Sequence, residues 1–131
     1  MIDSTLLLRR FVLALCIYRE ARGESYKGKC LVGQTIENRV QDPRWPDNYV
    51  GVITQRLQFS SFNINDPNSA IWPKESTDAA WDECVKAADA VLQSATVWTR
   101  ANHYHTKDVA PKWADSTKIT ETEGHHIFYC L

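Results

Sequence analysis

Glu24 closes the tetrapeptide Ala21-Arg22-Gly23-Glu24. It follows an apolar run, Leu6 to Tyr18, that reads as a helix built to be buried, with Leu6, Leu7, Leu8, Phe11, Val12, Leu15 and Cys16 at helical spacing. A carboxyl fixed at the lip of a packed helix loses part of its hydration. That loss penalises the charged form and raises the pKa, which suits Glu24 to donate a proton near neutral pH. Gly23 can take the backbone angles that break the run. The competing expectation is a solvated helix end carrying Arg19, Glu20, Arg22 and Glu24 as surface charges. The acid role requires a carboxyl that opens onto a groove.

The elements that must position this group are mostly helical. The first helix starts near Ser4 or Thr5 with Asp3 or Ser4 as cap. A second is predicted from about Gly28 to Val40, where Val32, Ile36 and Val40 share a face and Gly28 and Gly33 point to close packing. Pro43 and Pro46 end it, and residues 50–54 form a short helix or turn. Residues 57–75 read as one long irregular loop, a length that often serves function. A third long helix follows Ser76-Thr77-Asp78 and runs to about Gln93, with Trp81, Cys84, Val85, Ala88, Val91 and Leu92 on one face. Residues 102–106 and 125–130 read as two short strands able to pair in a small sheet or long hairpin, with a Thr/Glu-rich loop segment between them.

Composition bounds the rest. The 131 residues suffice for one domain with a core, and 44% of them are hydrophobic. Fifteen basic residues against sixteen acidic give a net charge of −1, which is no footprint for nucleic acid. Cys16, Cys30, Cys84 and Cys130 are widely spaced. Buried free thiols are expected, with two disulfides as the alternative. Arg9-Arg10 and the apolar block after it imitate a signal peptide, but no small-residue cleavage site follows. Cleavage there would also remove the helix that supports Glu24. The block is far shorter than the ~20 residues that span a bilayer, so no stable membrane anchor is expected.

Ala21-Arg22-Gly23-Glu24, Gly28, Asn38-Arg39-Val40, Gln58-Phe59-Ser60, Pro111-x-Trp113 and Gly124-x-His126-x-Phe128-Tyr129 occur in that order over residues 8 to 129. Together they resemble the SleB-like cell wall hydrolases, the spore cortex-lytic enzymes and their phage and bacterial relatives. The resemblance implies an α+β fold: a mainly helical, lysozyme-like domain with a small C-terminal β-hairpin or sheet, residues 1–131 forming a single catalytic domain. It implies a peptidoglycan-cleaving enzyme without cofactor, with Glu24 as general acid/base at the MurNAc–GlcNAc β-1,4 bond. The reaction is lytic transglycosylation or lysozyme-type hydrolysis. The stretch Ala101-Asn102-His103-Tyr104-His105 departs from the family pattern. A compact domain without signal or anchor suits a monomeric endolysin, made in the host cytoplasm and dependent on a holin to reach the glycan strands.

Substrate contacts are expected from Asn38 on the second helix, from Gln58 and Ser60 in the long loop (Phe59 being core), and from Tyr104 and Trp113 as sugar platforms. His126, alternating with Phe128, is expected to orient the site or to sit satisfied in the core. No spacing singles out a second carboxylate among Asp42, Asp47, Asp66, Glu75 and Asp115. That favours transglycosylation, in which the muramic C6 hydroxyl replaces water and one Glu acts as acid and then as base. Two rivals stand. His103, His105 and one of the adjacent His125 and His126, which as strand neighbours face opposite ways, could form an open zinc site. Glu24 would then be the base of an N-acetylmuramoyl-L-alanine amidase. The other rival is a non-catalytic glycan-binding module.

Overall fold

The computed structural model describes residues 4–55, 72–73 and 78–131. Among these residues the chain forms four α-helices and a three-stranded antiparallel sheet: α1 Ser4–Ala21, α2 Tyr26–Gln41, α3 Tyr49–Ile53, α4 Ala79–Gln93, β1 His103–Thr106, β2 Ile119–Glu123 and β3 His126–Tyr129. No described helix is long and apolar enough to cross a membrane.

Each later helix begins on a side-chain cap that satisfies an otherwise unpaired backbone N–H. Ser25 accepts from the N–H of Gly28 at the start of α2, Asn48 from Gly51 at α3, and Asp78 from Trp81 at α4. The core runs between α1, α2 and α4 through Leu13, Ile17, Leu31, Val32, Ile36, Cys84, Ala88 and Val91, with Val52 and Ile53 of α3 and Phe128 of β3 joining it. Gly33 marks the crossing of the helices. A Cβ added there would lie 3.0 Å from Ile17 Cδ1 and 3.2 Å from Val91 Cγ2.

Only the second half of the apolar run is buried. Leu13 to Tyr18 are in the core, whereas Leu6, Leu7, Leu8 and Phe11 are 41 to 54% exposed. The core partners of α1 meet its C-terminal turns, so helical spacing alone overestimates how much of it is covered. The four cysteines are free thiols, three of them buried.

The sheet has the order β1-β3-β2. Its third strand, β2, lies in the Thr/Glu-rich segment expected to be loop. Ile119-Thr120-Glu121-Thr122-Glu123 lacks a buried apolar face, which removes the usual strand signal. Register fixes what each face presents, because residues directly opposite in a pair share a face. Tyr104 opposes Phe128, and Thr106 opposes His126. Glu121 and Glu123 oppose Phe128 and His126 from the other side. These form the inner face, turned to the helices. His103, His105, Ile127 and Tyr129 form the outer face.

Candidate active site

Glu24 stands in the elbow between α1 and the cap of α2, its N–H donating to Ala21 O at 2.9 Å. Lys29, buried on α2, donates from Nζ to the backbone carbonyl of Glu24 at 2.7 Å and to Glu83 on α4 at 3.0 Å. Arg22 turns back over the end of α1, donating to the carbonyls of Tyr18 and Arg19. The elbow is therefore anchored to three helices. Gly23 makes no use of glycine's special backbone range. Gly124 is the glycine with positive φ, at 56°.

The tip of the β2–β3 hairpin holds the carboxylate. Gly124 and His125 are the two residues between the paired Glu123 and His126, and a turn this tight asks for positive φ. It aims the His125 N–H at Glu24 Oε1, 2.7 Å away. The His125 ring meets Oε2 through Nδ1 at 2.8 Å, and His126 Nδ1 meets Oε1 at 3.1 Å. A Cβ on Gly124 would fall 2.5 Å from Oε1. Both adjacent histidines thus reach one carboxylate, against the expectation that they face apart. His125 belongs to the turn, where strand alternation does not apply.

This grip sets the charge. Burial pushes the Glu24 carboxyl up, but the bonds from the His125 ring and backbone, with the charges of His126 and His125, outweigh it and hold the group below the ordinary glutamate range. That corrects the expectation of a raised pKa: burial was legible in the sequence, whereas its donors, one hundred residues along the chain, were not. Burial pushes His126 down against the pull of Glu24. Facing a carboxylate, which can only accept, His126 donates from Nδ1. Nor does the carboxylate open freely onto a groove. Its side chain is 7% exposed, and the ring over Oε2, His125, is itself 84% exposed. The ring on Oε2 is thus a surface side chain, whereas His126 on Oε1 is buried. A crevice of about 500 Å³ lined by Leu7, Arg10, Phe11, Trp81 and Val85 lies elsewhere, between α1 and α4.

Of the other expected site residues, the structure brings His126 to Glu24. Tyr104 is one step removed: its ring meets His126 edge-on at 5.1 Å, and its hydroxyl donates to Glu20 at 2.7 Å. It packs against the core as a wall of the site rather than as an open platform. Trp113 lies across the outer face, against His103, His105 and Tyr129, so the sheet separates it from Glu24. Asn38 is just over three turns along α2, roughly 18 Å from its start. Its amide donates to the carbonyls of Thr99 and Ala101 and accepts from Gln34. It fastens α2 to the chain entering β1. Asn38→Ala is expected to cost about 1–2 kcal/mol in denaturant unfolding by leaving two carbonyls unpaired, with kcat unchanged. Gln58, Phe59 and Ser60 fall outside the described residues.

The four histidines do not converge. His103 and His105 occupy the outer face, His126 the inner face and His125 the turn, and among the described residues no three metal-ligating side chains are arranged to hold an ion. His103 is packed between Trp45 and Trp113, and burial beside Arg39 and Arg44 pushes it down to about 4.

Sequence reasoning missed Lys29 and Glu123, and it considered His125 only as a zinc ligand. Glu123 accepts from Ser25 Oγ at 3.4 Å, and its Cγ and the Glu24 Cβ flank the same side of Gly28. A second acidic residue therefore packs against the same glycine as Glu24. A two-residue turn containing Gly, between segments that both carry ionisable residues, was the available signal.

The profile of the Cell Wall Hydrolase family matches residues 23–129. The spore cortex-lytic enzyme of Bacillus subtilis (strain 168) is 31% identical over 121 residues, covering 89% of this chain and 36% of that protein. That of Halalkalibacterium halodurans is 31% identical over 118 residues, covering 89% of this chain and 33% of that protein. The chain thus spans about a third of the length of these relatives. Among solved structures, the catalytic domain of the germination-specific lytic transglycosylase SleB from Bacillus anthracis superposes with a TM-score of 0.72 at 28% identity, covering 92% of this chain and 93% of that one. The catalytic domain of the Bacillus cereus SleB protein gives 0.70 at 25% identity, covering 98% and 92%.

Proposed function

This chain belongs to the Cell Wall Hydrolase family, and from that premise we propose that it cleaves the MurNAc–GlcNAc β-1,4 bond of peptidoglycan as a lytic transglycosylase, with Glu24 as general acid and then base. The observation that carries the reading is the gripped carboxylate. A single buried glutamate is fixed through α1, α2 and α4 on its backbone side and by a hairpin tip on its side-chain side. Such fixation supports a group that must meet one glycosidic oxygen at one angle. In the forward step the carboxyl proton passes to the leaving oxygen as the C1–O bond breaks. The carboxylate then takes the proton of the muramic C6 hydroxyl as that oxygen bonds to C1.

Likeness to a SleB lytic transglycosylase domain at nearly full coverage of both chains favours this product. Glu123 favours a second reading, hydrolysis, in which it would activate water as the second of two carboxylates. Mass spectrometry of digested muropeptides separates the two. Transglycosylation leaves muramic ends lighter by one water, whereas hydrolysis leaves free reducing ends. Release of stem peptides alone would instead indicate the amidase and overturn both. The same proposal carries the setting expected from the sequence, an endolysin reaching the wall through a holin. Its support is the match to the Cell Wall Hydrolase family rather than any feature of the site.

A further inference from the structure

We propose that His125 is a positioning residue for the acid proton, holding it against the outer oxygen of Glu24 and swinging off the carboxylate when a glycan strand docks. The inference rests on Glu24 being the acid and adds what delivers and uncovers its proton. Oε1 already accepts twice, from the His125 backbone N–H and from His126 Nδ1. A backbone N–H can only donate, so an acidic hydrogen on Oε1 would clash with it. The proton of a carboxylic acid at this position therefore belongs on Oε2, whose partner is His125 Nδ1 at 2.8 Å.

A neutral ring can donate its own Nδ1–H across that separation, as His126 does. When the pair takes up one further proton, either the imidazolium donates to a carboxylate, or the carboxylic acid donates to a neutral imidazole. Passage between the two moves one proton from Nδ1 to Oε2 and needs no other reactant. The shared proton is then a property of the pair rather than of either residue. Exposure supplies the second half of the argument. The ring covering Oε2 is 84% exposed while Glu24 is 7% exposed, so rotation of one surface side chain opens the acid without disturbing the core. The bonds to Oε1 remain and keep the carboxyl aimed. Among the described residues, the charged or titratable groups facing the pair are His126 on β3, Asp108 after β1, which feels the His125 charge, Lys29 on α2 through the Glu24 backbone, and Glu123 on β2 beyond Ser25. The His125 ring and backbone N–H are the main groups that hold Glu24 below the ordinary glutamate range.

The test is the pH profile of kcat and KM for wild type, His125→Gln and His125→Ala, with Glu24→Gln beside them. Gln at 125 still donates to Oε2 but carries no titrating proton. With the reservoir gone, Glu24 must hold its own proton. The alkaline limb of kcat/KM should then move at least one pH unit toward acid, with activity at pH 7 down at least tenfold and near wild type at pH 4.5. Both variants should melt within a few degrees of wild type, since the ring is on the surface. A loss that is the same at every pH, or no loss, overturns the proposal. So does an NMR titration in which the Glu24 carboxyl carbon and the His125 ring nitrogens respond at separate pH values. Activity surviving in Glu24→Gln would instead overturn the assignment of the acid itself, so the two failures are distinguishable.

Discussion

Glu24→Gln should abolish turnover of peptidoglycan while leaving a folded domain that still binds glycan strands. The expected fall in kcat is roughly 10²- to 10⁴-fold, the range for loss of one general acid–base group. The shape of the site survives the change. A Gln carbonyl can accept from the His125 N–H and from His126 Nδ1 as Oε1 does now, and the amide nitrogen then meets His125 Nδ1, which becomes the acceptor. What is lost is the transferable proton. Retained affinity for muropeptides with lost cleavage separates an enzyme from a glycan-binding module, for which the substitution would change nothing measurable in a wall digest.

The same variant carries a stability signature. The Glu24 pKa in the folded protein lies below its ordinary value, so folding favours the carboxylate. That contribution is fully present above the unfolded pKa of about 4.3 and is lost as pH falls through the depressed folded value. The melting temperature of Glu24→Gln should therefore trail wild type at pH 7 and converge with it toward pH 3. A gap that stayed constant with pH would mean that the carboxylate is not the charged hub of the hairpin contact.

The helical half of this molecule was readable because its information is local. Asp78 ahead of Ala79, the repeat of Val32 and Ile36, and the prolines after α2 each act within a few residues. The place of Glu24 just past the end of α1 was also readable, from a short motif at a helix end. What escaped depends on contacts across the chain. Strand β2 exists because β3 offers it a ladder, not because Ile119 to Glu123 alternate in hydropathy. The lowered pKa of Glu24 comes from a turn one hundred residues away. Asn38 looked like a ligand for substrate because an amide on a helix has no visible partner in sequence, yet two carbonyls in the segment before β1 claim it. Trp113 looked like a platform, but register puts its neighbours His103 and His105 on the far side of the sheet from His126.

That dependence on a distant turn makes Gly124 the most sensitive position outside Glu24. Gly124→Ala adds one methyl group at φ 56°, where the new Cβ would stand 2.5 Å from Glu24 Oε1 and 3.1 Å from its Cδ. Two costs combine. The left-handed backbone disfavours an L side chain by about 1–2 kcal/mol. The contact then forces either the turn or the carboxylate to shift, and the carboxylate is the softer of the two only if it gives up its bonds to His125 and His126. A displacement near 1 Å at an acid group costs on the order of 10²-fold in rate. The expected outcome is a folded protein, destabilised by about 1–2 kcal/mol, with kcat down roughly 10²-fold. Gly23→Ala is the matched control: it lies next to the same glutamate, its φ is not positive, and nothing lies within 4 Å of an added Cβ. Its rate should match wild type, and equal damage from the two substitutions would mean that nearness to Glu24 in sequence, rather than the hairpin tip, governs the site.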